Sequence, residues 1–162
     1  MRFKTYAVVL TIISIWGFLM SATSSHARDT GEYSVMISFW TRHVDPSDNT
    51  NENTGMIAIS YNDYIVSRFM NSYHNQTFFG GKRLHTKEFA LGTFNHLSVQ
   101  GNLYLGLMHG YSEKLPNIKG LSVGALPTVG LLWKKAAVEL GYAPTPKGGV
   151  FMSLIKYSFK LP

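Results

Sequence analysis

The chain has 162 residues, no cysteine and a formal charge of +6, and 45% of its residues are hydrophobic. Those values exclude disulfides, thiolate catalysis and cysteine-based metal sites, and once a leader is removed they leave room for one domain but not two. The basic excess suits anionic lipid headgroups better than nucleic acid, because the N-terminus reads as an export signal.

Residues 1–27 carry that signal. Arg2 and Lys4 supply the positive start, Ala7 to Met20 the apolar run, and Ser25-His26-Ala27 a small-x-small exit, which places cleavage after Ala27. The run is short for a spanning helix, so a retained anchor is the weaker alternative. Residues 28–162 form the expected domain, with thirteen basic and nine acidic side chains once Arg2 and Lys4 are gone, a net +4.

From there the chain alternates. Tyr33 to Arg42 sets Tyr33, Val35, Ile37 and Phe39 against Ser34, Met36, Ser38 and Trp40, the period-2 pattern of a first strand. His43 to Thr54 is a polar loop with Pro46, and Gly55 to Asn62 is a second strand. Asn62-Asp63 turns tightly into a third strand, Tyr64 to Tyr73, with Ile65 and Phe69 expected on the lipid side. A turn at Tyr73 to Asn75 leads into a fourth strand, Gln76 to about Leu84, and His85 to Phe94 either extends it or forms a loop.

Leu97 to Tyr111 is the longest alternating stretch. Leu97, Val99, Leu103, Leu105 and Leu107 lie on one face, and Ser98, Gln100, Asn102 and Tyr104 on the other. At helical spacing those leucines would scatter around the cylinder, and the length fits a transmembrane strand better than a strand of a soluble sandwich. Gly120 to Trp133 is the sixth strand, expected to bend at Pro127, which lacks an N–H for the ladder. After the Lys134-Lys135 turn, Ala136 to Ala143 is the seventh strand and Gly149 to Leu161 the eighth.

Eight antiparallel strands close a sheet without a free edge, so the expected fold is all-β, an eight-stranded transmembrane barrel of the outer membrane. With both termini in the periplasm, the two-residue turns fall on that side and the longer loops outside the cell. A barrel this narrow is filled by side chains, and Glu139 with Lys156 on the neighbouring strand is the expected lumen pair. The alternative is a soluble barrel of the lipocalin kind with apolar residues inward.

This polarity gathers reactive groups at the outer rim: His43 at the end of the first strand, Asn71, Ser72, Tyr73 and His74 at the end of the third, His109 and Tyr111 at the end of the fifth. A serine beside a histidine is an activated nucleophile, and the lipid headgroups at that rim present acyl esters. Tyr73, Tyr111 and Tyr142 suit an aromatic girdle, and His109 is read as part of the same interface. No metal-ligand spacing links His43, His74 and His109, and Asp45, Asp48 and Glu52 read as a solvated acidic loop.

Trp40-Thr41-Arg42-His43, Asn53-Thr54-Gly55 and Asn71-Ser72-Tyr73 resemble the small outer-membrane barrels that act on lipid A, the lipid A palmitoyltransferase family above all and the lipid A deacylases as relatives. Similar barrels occur in phage and prophage genomes. In the palmitoyltransferase family a histidine at the outer end of the first strand works with an Asp-Ser pair. The resemblance therefore implies His43 as the base and Ser72 as the nucleophile, with Asn71 standing where the family has Asp, as an orienting or oxyanion-side group. The deacylase His-x-Ser near the C-terminus is missing, since the last forty residues contain no histidine.

The sequence thus predicts a monomeric, exported outer-membrane barrel. Its leading activity is acyl transfer to, or hydrolysis from, lipopolysaccharide or phospholipid at the outer leaflet. No cofactor, metal or nucleic acid is implied. The other reading is a non-enzymatic barrel that binds lipid, host or phage factors through its outer loops.

Overall fold

The computed structural model describes residues 31–44, 50–92, 96–111, 115–143 and 149–161. The expected signal peptide, and Asp45 and Asp48 of the first loop, lie outside the described residues. The described residues form ten strands: β1 Glu32–His43, β2 Ile57–Tyr61, β3 Tyr64–Met70, β4 Gln76–His85, β5 Phe89–Ala90, β6 Leu97–His109, β7 Asn117–Ile118, β8 Leu121–Trp133, β9 Ala136–Ala143 and β10 Val150–Lys160.

Eight of them close a barrel. The order runs β1-β2-β3-β4-β6-β8-β9-β10 and returns to β1, every pair antiparallel. Glu32↔Lys160 to His43↔Val150 seals the first strand to the last, and Leu97↔Trp133 to His109↔Leu121 makes β6–β8 the longest ladder. The stretch after His85 is a short link in which β5 pairs with β6 at Phe89↔Val99, on the side where β4 has ended. The tiny β7 folds back on the start of β8.

The hairpins follow from turn chemistry. Asn62 at φ 51° and Lys134 at φ 55° take the left-handed conformation that tight two-residue turns need, and Asn adopts it more readily than Lys. These two turns share the near end of the barrel with Glu32 and Lys160; His43, Asn71, His109 and Val150 lie at the far rim.

Alternation sorts the faces, with two corrections. Ile65 is buried in the lumen and Phe69 packs against the core there, so neither faces outward; Tyr64, Val66, Arg68 and Met70 do. The shift is a single parity step, because the chain leaves the Asn62-Asp63 turn with Tyr64 outward. In β1 the register to β10 jumps between Ser38 and Trp40, a β-bulge that puts both Phe39 and Trp40 outside. Beyond it the parity of β1 is reversed: Thr41 and His43 turn inward and Arg42 outward.

At Pro127 the strand β8 is continuous. Its register partner on β6 is Leu103, whereas pairing with β9 stops at Thr128. The missing N–H therefore falls where that ladder has already ended.

The lumen is filled. Met36, Met56, Ala58, Ile65, Tyr104 and Leu154 form an apolar plug, with Phe69, Phe79, Leu126 and Met152 packed on it. Below the plug Glu139 is 1% exposed yet fully partnered: Tyr104 Oη donates at 3.1 and 3.0 Å, Thr128 Oγ1 at 2.6 Å, and Lys156 Nζ stands 3.7 Å away. The expected Glu139–Lys156 pair is thus present, and these contacts offset the cost of burying its charges.

Candidate functional site

Three segments build the far rim. The end of β1 brings His43, the chain between β1 and β2 brings Asn51 and Glu52, and the turn after β3 brings Asn71 and Ser72. Backbone bonds dock them together: Asn51 N–H donates to Ser72 O at 3.0 Å, and Met70 N–H to Thr54 O at 2.8 Å. Asn51 is buried, and its Nδ2 donates to Asn71 O at 3.1 Å. The loop ahead of β2 is thereby stapled to the turn that carries Ser72.

The bulge in β1 then decides the site. With His43 turned inward, its Nε2 stands 2.8 Å from Ser72 Oγ, and only 10% of its side chain is exposed. Glu52 supports it from the other side. Glu52 Oε1 accepts the His43 backbone N–H at 3.1 Å, and Oε2 takes Arg42 Nη1 at 2.9 Å. The same Oε1 lies 3.9 Å from His43 Nδ1, too long for a hydrogen bond but near enough for its charge to be felt; Nδ1 is buried and has no hydrogen-bond partner.

Ser72 also faces Tyr111, whose hydroxyl contacts both the side chain and the backbone of Ser72. Burial pushes the Tyr111 phenol up to about 12, with the Ser72 contacts pulling the other way. Tyr111 therefore stays protonated, a donor, at any ordinary pH.

Asn71 is fully buried, and its amide is completely engaged. Its Oδ1 accepts from Tyr73 N–H at 2.9 Å and Asn75 N–H at 3.0 Å, and its Nδ2 donates to Thr77 Oγ1 at 3.0 Å and Gly110 O at 2.8 Å. The Gly110 carbonyl needs a donor that a carboxylate lacks, which is a physical reason for Asn, in place of Asp, beside Ser72. Asn71 shapes the turn that presents the serine.

Of the expected rim residues, His43 and Ser72 meet directly, with Asn71 and Tyr111 behind Ser72. His109 faces outward and His74 is exposed on the turn at φ 60°. Among the described residues no three His, Asp or Glu side chains gather as metal ligands would. Sequence reasoning missed Asn51 and read Glu52 only as part of a solvated acidic loop, whereas its carboxylate docks on the His43 backbone and on Arg42. The available signal was topological: β1 and β2 are neighbours, so polar groups just ahead of β2 return to the end of β1.

The chemistry open to this arrangement is that of a serine activated by histidine. Oγ and Nε2 are within proton-transfer reach, and a carboxylate flanks the base. In comparisons with known proteins the chain matches no family model, and no curated protein matches it significantly.

Proposed function

We propose that this protein is an outer-membrane barrel whose far rim breaks or transfers the acyl ester of an outer-leaflet lipid, lipopolysaccharide or phospholipid. The observation that carries the reading is the 2.8 Å contact between His43 Nε2 and Ser72 Oγ, with Glu52 against His43. His43 takes the Ser72 proton as Oγ attacks the ester carbonyl; the acyl group moves to Oγ and the lipid alcohol leaves with the proton from His43. Water or a second lipid hydroxyl then takes the acyl group by the same steps in reverse, giving hydrolysis or transfer.

Support for the membrane setting comes from the outer surface. Val35, Ile37, Ile59, Leu107, Val129 and Leu140 are 43–61% exposed, an apolar face that water would penalise. Aromatic groups bracket it: Tyr33 lies 4.8 Å from Tyr61 and 5.9 Å from Phe159 at the near end, and Tyr142 lies 4.9 Å from Phe151 at the far end. The closed barrel needs no strand from a partner to complete it, in keeping with the monomer expected from the sequence.

The test is mass spectrometry of lipid A and phospholipids from cells with and without the protein. A mass step of one acyl chain that vanishes with Ser72→Ala and with His43→Ala supports the reading. An unchanged profile, with the barrel confirmed in the outer membrane, removes it in favour of a binding barrel.

A further inference from the structure

We propose that the near end of the barrel, opposite the serine, is an anion-binding site that takes a phosphate group. A cavity of about 550 Å3 opens there between the two tight turns and the ends of β1, β4 and β10. Its wall carries five Lys and Arg side chains against three carboxylates. The apolar plug closes its inner end, so it is a blind pocket and not a passage to the rim.

The carboxylates take up part of this excess. Asp63 is engaged by Arg83 at 3.2 Å and His85 at 3.5 Å, and Glu88 accepts the Ser98 hydroxyl at 2.9 Å. At the floor, Arg83 and Lys156 line the same small recess against Met36, Ile65 and Tyr104, with side chains only 15% and 7% exposed. Each of these two cations already has a carboxylate beside it, Asp63 for Arg83 and Glu139 at 3.7 Å for Lys156, so the open cationic charge lies toward the mouth. At the mouth, Lys135 and Lys160 are exposed, and neither forms an ion pair among the described residues.

Cations ringing a concave, low-dielectric wall concentrate their field on its axis. They also offer only donors. A fully ionised phosphate monoester brings two charges and only acceptors, the complement of that array, whereas a carboxylate monoanion brings one charge.

Calorimetric titration of inorganic pyrophosphate into the protein, in zwitterionic micelles at low ionic strength, tests the site. The expected result is one saturable site. It weakens about tenfold when Lys135 and Lys160 are both changed to Ala, exposed positions whose loss leaves the fold intact. Arg68→Gln, which removes a cation from the outer wall, leaves the affinity unchanged. Absence of saturable heat, or equal weakening by Arg68→Gln, overturns the proposal. Short-chain phosphatidic acid in the same micelles separates the sources: displacement of pyrophosphate identifies a lipid headgroup, and no displacement identifies a free small anion, both keeping the site.

Discussion

At the scale of single residues the rim rests on a division of labour between Glu52 and Asn71. Glu52 holds His43 through its backbone N–H at 3.1 Å, so the glutamine variant keeps the placement and loses only the charge. That charge favours the imidazolium formed as Ser72 attacks. Glu52→Gln is expected to slow fluorophosphonate labelling of Ser72 by about tenfold to a hundredfold, with unchanged circular dichroism. Labelling at the wild-type rate would show that the carboxylate only ties the loop down. Asn71 works differently, because four hydrogen bonds end on its fully buried amide. Asn71→Ala orphans the half-buried Gly110 carbonyl and two turn N–H groups, and costs about 2–3 kcal/mol by urea unfolding in micelles. Asn71→Asp costs at least as much, since a carboxylate then faces that carbonyl. A variant that unfolds like wild type yet no longer labels would move Asn71 into the chemistry.

At the scale of elements, the bulge at Phe39–Trp40 is what turns β1 into a site-bearing strand. Regular alternation would aim Arg42 at the lumen and His43 at the outside, away from Ser72. Deleting Phe39 takes out the extra residue, so Ser38 and Trp40 become consecutive opposite Leu154 and Ser153, and Thr41 and His43 keep their inward facing. The variant is expected to keep a folded barrel by circular dichroism and to keep Ser72 labelling, because the β10 register still aims His43 inward; lost labelling would mean that the bulge itself, and not the facing it sets, holds the site. This bulge also marks where the sequence stops being readable. Strand number, the two tight turns, the Glu139–Lys156 pair and the inward face of β6 follow from period-2 patterning, which is local. The bulge is not local. Phe39 and Trp40 are both large and apolar, so either fits either face in the pattern, and only the register to Leu154 and Ser153 of β10 decides. The same holds for Ile65 and Phe69, apolar residues facing an interior that is itself part apolar plug. Glu52 was hidden for a related reason, its role arising from docking against the ends of two strands.

At the scale of the whole molecule, the barrel is inverted relative to a soluble one. Among the described residues, polar side chains such as Asn102, Thr128, Glu139 and Ser153 are buried, at 1–4% exposure, while large apolar ones cover the outside. A lipocalin-like barrel in water would need the reverse, so the two settings respond oppositely to a charge on the outer wall. Val129 is 59% exposed, on β8 between Gly101 of β6 and Leu140 of β9. In water, Val129→Arg costs almost nothing, because the guanidinium is solvated. In a bilayer the same change places a cation in hydrocarbon, with a penalty of about 2–4 kcal/mol near the midplane. Unfolding of both forms in phosphatidylcholine vesicles, followed by tryptophan fluorescence across a urea series, reads the difference. A destabilisation of that size in vesicles places the apolar wall in lipid, and equal stability of the two forms would put it in water.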